Sequence, residues 1–146
     1  MSYDVGELLL QTVPFARTRH HLRQGRGRCG HLPPARPPGP AQPRRGPHAG
    51  ALFALAESAS GAATLATFGD QLSRAVPLPT TATIRYRKVA MGEVVAEARL
   101  LASRDEVVAK LDAGERPEFD VAVEIRNAEG TTVSEMTVSW TLRPNR

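Results

Sequence analysis

The chain has 146 residues, which is enough for one domain with a hydrophobic core of ordinary size. Its single cysteine, Cys29, excludes an internal disulfide framework and favours a cytoplasmic protein. The net charge is +4, but the sequence has no phosphate-binding loop, no dinucleotide fingerprint, no Cys/His cluster with metal-ligand spacing and no recognisable signal peptide, so we expect no bound metal.

The first third of the chain differs in composition from the rest. Asp4 and Glu7 around the run Leu8-Leu9-Leu10 suggest a short N-terminal helix within residues 1–16, which stops by Pro14. Residues 17–47 contain eight Arg, seven Pro, five Gly and three His, and no Val, Ile or aromatic residue. We expect this segment to be disordered and to form no regular strand. Without its eight arginines the chain has eleven basic and fifteen acidic residues, so the positive charge belongs to this segment.

Two interpretations of residues 17–47 remain open from the sequence. An Arg-rich linker could bind nucleic acid or another anionic surface, but this one lacks the aromatic residues on which bases stack. A GC-rich gene read out of frame would also give mostly Arg, Pro, Gly and Ala, with the frame restored near Pro47. Nucleic-acid binding is the disfavoured interpretation.

Residues 47–68 predict a long helix that is apolar on every side. Eight of these residues are Ala, and Glu57 carries the only formal charge. A helix of this kind is buried, and burying a lone carboxylate costs free energy unless it is paired or protonated. Glu57 is therefore a candidate functional residue, although a position at the helix edge is the alternative. A membrane span is disfavoured because a central Glu is expensive in lipid.

Four strand-like runs follow the helix. In each, apolar side chains alternate with polar ones, which predicts strands with one buried face. The runs cover residues 80–89, 93–101, 119–126 and 131–142. Asn127-Ala128-Glu129-Gly130 predicts a tight hairpin turn between the last two.

A short helix is predicted between the second and third runs, over residues 104–113. Ser103 and Glu106 have the spacing of a capping box, in which two side chains bond the first helical amides. Gly114 is a suitable residue to end the helix. Residues 47–143 therefore predict one α+β domain, in which a long helix precedes an antiparallel sheet.

Three motifs in this region resemble those of a known family. The first is His48, Gly50 and then Glu57 on the long helix, and the second is the basic and aromatic run 84–92 that ends at Gly92. The third is the hairpin at 127–130. In this order they resemble the hotdog-fold thioesterases, particularly small acyl-CoA thioesterases of the phenylacetate-pathway type. The resemblance implies a hotdog-like α+β fold, in which an antiparallel sheet wraps a long central helix.

The resemblance also implies roles for named residues. Members of the family hydrolyse acyl thioesters, usually of coenzyme A, without a further cofactor. Glu57 matches the carboxylate that acts as general base or nucleophile, and His48 belongs to the same motif, although a capping histidine is the alternative. The backbone N–H groups of Ala49 and Gly50 match those that polarise the thioester carbonyl.

The coenzyme A phosphates could meet Arg87 and Lys88, but a solvated strand face is the favoured explanation of these cations. His48 and Glu57 are about 13 Å apart along one helix, so one chain cannot easily grip a thioester with both. The resemblance implies a site shared across a two-fold interface, and hence a homodimer or homotetramer.

The family pattern is incomplete in this chain. Hotdog thioesterases place an active-site Asn upstream of the helix, whereas no Asn precedes Asn127 here. The first glycine after the motif histidine is replaced by Ala49. A protein that binds acyl groups or acyl-CoA without turnover is therefore the alternative to an acyl-CoA hydrolase.

Overall fold

A helix without a polar face needs other elements to cover it, and the computed structural model shows which elements do so. The structure describes residues 21–23, 26–32, 47 and 49–145. Helix α1 spans Ala49–Phe68 and continues into a 3-10 turn at Gly69–Gln71. It packs against one face of an antiparallel sheet. The predicted helix within 1–16 lies outside the described residues.

The sheet has six strands among the described residues, and a second helix lies between two of them. In chain order the elements after the first two strands are β3, β4, helix α2, β5 and β6. Their bounds are β1 His21–Arg23, β2 Arg26–Leu32, β3 Ala75–Tyr86, β4 Val94–Leu100, α2 Arg104–Asp112, β5 Glu118–Asn127 and β6 Thr132–Pro144. The spatial order is β1-β2-β4-β5-β6-β3, and all neighbours are antiparallel. The predicted α+β class is confirmed.

The predicted alternation decides which side chains enter the core. In β5 and β6 the apolar members of each alternating run are buried against α1, namely Phe119, Val121, Val123, Ile125, Met136, Val138, Trp140 and Leu142. The ring of Phe119 also contacts Phe68 at the end of α1, with 4.9 Å between ring centroids. Burying side chains of this size contributes about 1.5–3 kcal/mol each, so the pattern read from the sequence also supplies most of the driving force for folding.

The prediction that residues 17–47 form no regular strand is wrong for two stretches. His21–Arg23 and Arg26–Leu32 form β1 and β2, and β2 pairs with β4. All seven prolines of the segment lie at Pro33 or beyond, so the backbone before Pro33 keeps the amide donors that a strand ladder requires. The prediction used the composition of the whole segment, in which this proline-free stretch is not apparent.

Strand β3 begins earlier than predicted, at Ala75 instead of Thr80. Its first part contains Pro77 and Pro79, and both prolines pair in register with β6. Proline is tolerated on an edge strand because its missing donor can face away from the neighbour. Among the described residues β3 pairs with β6 alone, and its other edge is unpaired.

The predicted hairpin turn is confirmed in detail. The Asn127 side-chain oxygen accepts hydrogen bonds from the backbone N–H groups of Glu129 and Thr131, and Gly130 has a positive φ of 81°. Asparagine and glycine suit these positions because one bonds its own turn and the other tolerates φ above zero.

Helix α2 matches the predicted helix over 104–113, and Gly114 ends it with a positive φ of 77°. The capping-box prediction is wrong, however, because the Ser103 side chain makes no capping hydrogen bond. The Ser103 carbonyl instead accepts a bond from Val107, which begins the helix with backbone atoms only.

Candidate active site

Helix α1 has one face on the sheet and one face left open. The buried face carries small residues that let the helix lie close to the strands, including Ala56, Ala59 and Ala62, all of which are fully buried. The open face repeats at helical spacing and carries Gly50, Phe53, Glu57, Gly61 and Leu65, each exposed or half-buried. One sheet therefore covers only part of this apolar helix.

Glu57 lies in the middle of the open face and is half-buried. Burial raises the pKa of its carboxyl above the ordinary value of 4.5. Within the described part of the chain, no side chain forms an ion pair or hydrogen bond with this carboxylate. It is therefore placed to accept a proton from a molecule that binds on the open face.

The first turn of α1 lies at the same face. Ala49 and Gly50 are both exposed, and the hydroxyl of Tyr86 on β3 donates a hydrogen bond of 3.2 Å to the Ala49 carbonyl. The first N–H groups of any helix point out of its end and carry a partial positive charge. His48, the third residue of the predicted motif, lies outside the described residues.

Gly50 and Glu57 share a face but are well separated. Seven residues of helix correspond to almost two full turns, so both point in nearly the same direction, with about 10 Å between them along the axis. A thioester carbonyl is much smaller than this distance. The first turn of one helix and the carboxylate of the same helix therefore cannot act on one carbonyl.

Two residues behind Glu57 were missed by the sequence analysis. The Ser60 hydroxyl donates a hydrogen bond of 2.7 Å to the Glu57 backbone carbonyl, and the indole Nε1–H of Trp140 donates to the Ser60 hydroxyl at 3.2 Å. The edge of the Trp140 ring also lies against Gly61, 3.6 Å from where a β-carbon would stand. The sequence feature that could have indicated Ser60 is its position three residues after Glu57, the only charged residue of the helix.

The two proposed phosphate ligands differ in their surroundings. The Arg87 guanidinium holds Glu135 on β6 through two hydrogen bonds of 2.9 and 2.7 Å. Lys88 is exposed, and its ammonium has no partner among the described residues. Of the two, Lys88 is the cation that can meet a phosphate without losing a partner.

Two other classes of site were considered. Within the described residues, no group of three or more His, Cys, Asp or Glu side chains could hold a metal ion. The helical segment Ala49–Gln71 is long and apolar enough to cross a membrane, but the core helices of soluble domains meet the same criterion. Here the sheet covers one side of that segment.

Comparison with solved structures defines the class of protein. A Pseudomonas aeruginosa protein, described as being of unknown function and as a candidate thioesterase, superimposes with a TM-score of 0.79 at 26% identity, covering 97% of this chain and 94% of that one. A candidate thioesterase from Shewanella oneidensis gives 0.74 at 13% identity, over 97% and 99% of the two chains. A Streptococcus mutans protein, solved with acetyl-CoA bound, gives 0.63 at 15% identity, over 90% and 93%.

These likenesses confirm the predicted hotdog-like fold and the resemblance to hotdog thioesterases. A family model described as a domain of unknown function, DUF4442, matches residues 42–142. That match spans more than half of the chain, and the chain belongs to this family. A search of curated proteins found no match.

Proposed function

We propose that this protein hydrolyses acyl-CoA thioesters, with Glu57 as the general base. The observation that carries the proposal is a half-buried carboxylate without a partner among the described residues, on the open face of the central helix. The solved relatives described as candidate thioesterases, and the one that binds acetyl-CoA, support the choice of substrate. Coenzyme A enters as part of the substrate, and no further cofactor is required.

The proposed reaction is direct hydrolysis. Glu57 takes a proton from a water molecule as the water oxygen attacks the thioester carbonyl carbon. The carbonyl oxygen becomes an oxyanion, which backbone N–H groups at a helix N-terminus stabilise. The carbon–sulfur bond then breaks and the acid leaves, and the coenzyme A thiolate takes the proton that Glu57 holds, which restores the carboxylate. A raised pKa makes Glu57 a better base near neutral pH than an ordinary carboxylate.

The site requires two copies of the chain. Because Gly50 and Glu57 of one helix are about 10 Å apart, the oxyanion donors and the base must come from different subunits. Two antiparallel helices packed through their open faces bring the first turn of one copy beside Glu57 of the other. Such an interface is two-fold symmetric and forms two identical sites.

The unpaired edge of β3 supports the same dimer. Thr80, Thr81, Ala82 and Thr83 are exposed there, and no proline interrupts β3 after Pro79. Two antiparallel copies of residues 80–86 can pair through their backbones and join the two sheets, because antiparallel pairing of one strand with itself is two-fold symmetric.

Hydrolysis of a panel of acyl-CoA thioesters, followed by the released thiol, tests the proposal. Glu57→Gln keeps the shape of the side chain but removes the base, and we expect a loss of about 10²-fold or more in kcat. Glu115→Gln is the matched control, since Glu115 is exposed and distant in sequence from the helix. It should retain full activity.

Three outcomes separate the alternatives. Full activity in Glu57→Gln would show that the assigned base is wrong. Acyl-CoA binding without turnover in the wild type would favour the non-catalytic binding protein. Binding of nucleic acid that weakens steeply with salt would favour a function of the Arg-rich segment instead.

A further inference from the structure

The turn of α1 that carries Glu57 is tied to the sheet by a polar connection inside an otherwise apolar contact. Ser60 is 0% exposed and Trp140 is 7% exposed, so the hydrogen bond between them lies out of water, and the bond from Ser60 to the Glu57 carbonyl is partly buried. The Ser60 hydroxyl both donates, to the Glu57 carbonyl, and accepts, from the Trp140 indole. A buried hydroxyl with both capacities satisfied has one favoured orientation.

Of the three buried hydroxyl groups on α1, only that of Ser60 has hydrogen-bond partners. Ser58 and Thr64 are also buried on α1, yet their hydroxyls find no hydrogen-bond partner. Apolar packing alone allows a helix of small residues to slide or rotate slightly on a sheet, because alanine side chains make shallow contacts. Two strand side chains make hydrogen bonds to the described residues of α1: Tyr86 bonds the Ala49 carbonyl at the start of the helix, and Trp140 bonds Ser60, one turn from Glu57.

We propose that Trp140, acting through Ser60, is a positioning residue for Glu57. The indole fixes the depth and rotation of the Glu57 turn relative to the sheet, and the sheet carries the edge at which the second copy is proposed to dock. Glu57 then keeps a fixed position relative to the first turn of the helix in the second copy. This inference rests on the proposed function of Glu57 and adds the two residues that set its place.

The positioning role predicts a loss of turnover, not of binding. Ser60 is fully buried, and Trp140 meets the open face only from the sheet side, where its ring edge lies against Gly61, so we place neither in contact with the substrate. A small shift of a catalytic group lowers the rate of the chemical step, since the reacting atoms must lie within about 3–3.5 Å. Ground-state binding, which depends on other groups, should change little.

The experiment compares Ser60→Ala with Ser58→Ala. Both remove one buried hydroxyl from the same helix and both introduce the same residue, but only Ser60 is bonded to Trp140 and to the Glu57 carbonyl. Amide hydrogen exchange in the free protein measures the looseness of the turn, and steady-state hydrolysis separates kcat from KM.

In Ser60→Ala we expect the Gly61 amide, which bonds the Glu57 carbonyl in a regular helix, to exchange about tenfold faster. We expect kcat to fall by about tenfold or more while KM stays within about twofold. Ser58→Ala should match the wild type in exchange, kcat and KM.

Equal exchange in the two variants would overturn the proposal, and so would faster exchange in Ser60→Ala with an unchanged kcat. A lower kcat without faster exchange would also overturn it, because the effect would not act through the turn. If the wild type hydrolyses no thioester, the proposed function fails, and the exchange comparison alone then decides the positioning role.

Discussion

The two faces of helix α1 differ in their side chains and in what lies against them. The face on the sheet carries Ala56, Ala59 and Ala62, and every one is fully buried within a single chain. The open face carries Phe53, which is 36% exposed, and the half-buried Glu57. The buried face determines the fold, whereas the open face holds the group that can react. Alanine-rich composition alone does not distinguish them.

A carboxylate placed on the sheet face tests the difference between the two faces most directly. Ala59→Glu would bury an unpaired charge against β-strands, and we expect a loss of about 3–5 kcal/mol in the free energy of unfolding. The same substitution at Ala66, which is exposed near the end of α1, should cost less than about 1 kcal/mol. Urea unfolding of both variants measures the difference.

Equal stability of the Ala59 and Ala66 variants would mean that Ala59 does not face the sheet. The site of Ala59 leaves no room for a longer side chain. Partial unfolding of the Ala59→Glu variant, seen as a loss of cooperativity in the urea transition, would therefore also agree with the expected result.

A second test addresses the open face. Ala54 is half-buried beside Phe53, near the centre of the proposed two-fold interface. Ala54→Glu would bring two like charges together, one from each copy, and we expect the dimer dissociation constant to rise by about tenfold or more. Sedimentation over a range of concentrations measures it. Unchanged dimerisation would place the interface elsewhere.

The smallest expected effect concerns Glu57 and pH. Its pKa is raised by burial, so the folded chain binds this proton more tightly than the unfolded chain does. The stability that it contributes is therefore complete below the unfolded pKa and is lost as pH rises through the folded pKa. Glu57→Gln, which does not titrate, should be more stable than the wild type at pH 7.

We expect a gain of no more than about 1 kcal/mol, since the carboxylate keeps part of its contact with water. The gain should vanish below about pH 4, where the wild-type carboxyl is neutral in both states. Urea unfolding at the two pH values checks both statements. A Gln variant that is less stable than the wild type at pH 7 would show that the carboxylate stabilises the fold instead.

Local patterns in the sequence predicted much of this fold. The period-two runs gave β4, β5 and β6 because only one face of each strand is buried, and Asn127 with Gly130 gave the hairpin because their turn chemistry is local. Glu57 stood out as the one charge in an apolar helix, and the structure leaves its carboxylate without a partner among the described residues.

Contacts between distant parts of the chain were not predictable in this way. Trp140 and Ser60 are 80 residues apart, and no sequence pattern pairs them. Strand β2 was missed because it pairs with β4 through backbone groups, and an Arg-rich composition does not indicate whether a backbone can pair in this way. The first part of β3 was missed because residues 75–79 do not show the alternation used to predict the strand, and its prolines are tolerated only because β3 lies at a sheet edge.

The two prolines at the start of β3 also limit how far the sheet can grow. An exposed edge is a template on which further strands can add, and unlimited addition leads to fibres. Pro77 and Pro79 offer no amide hydrogen, so only residues 80–86 present a regular edge. In the proposed dimer, two copies that pair through this short edge leave neither β3 edge open to a further strand.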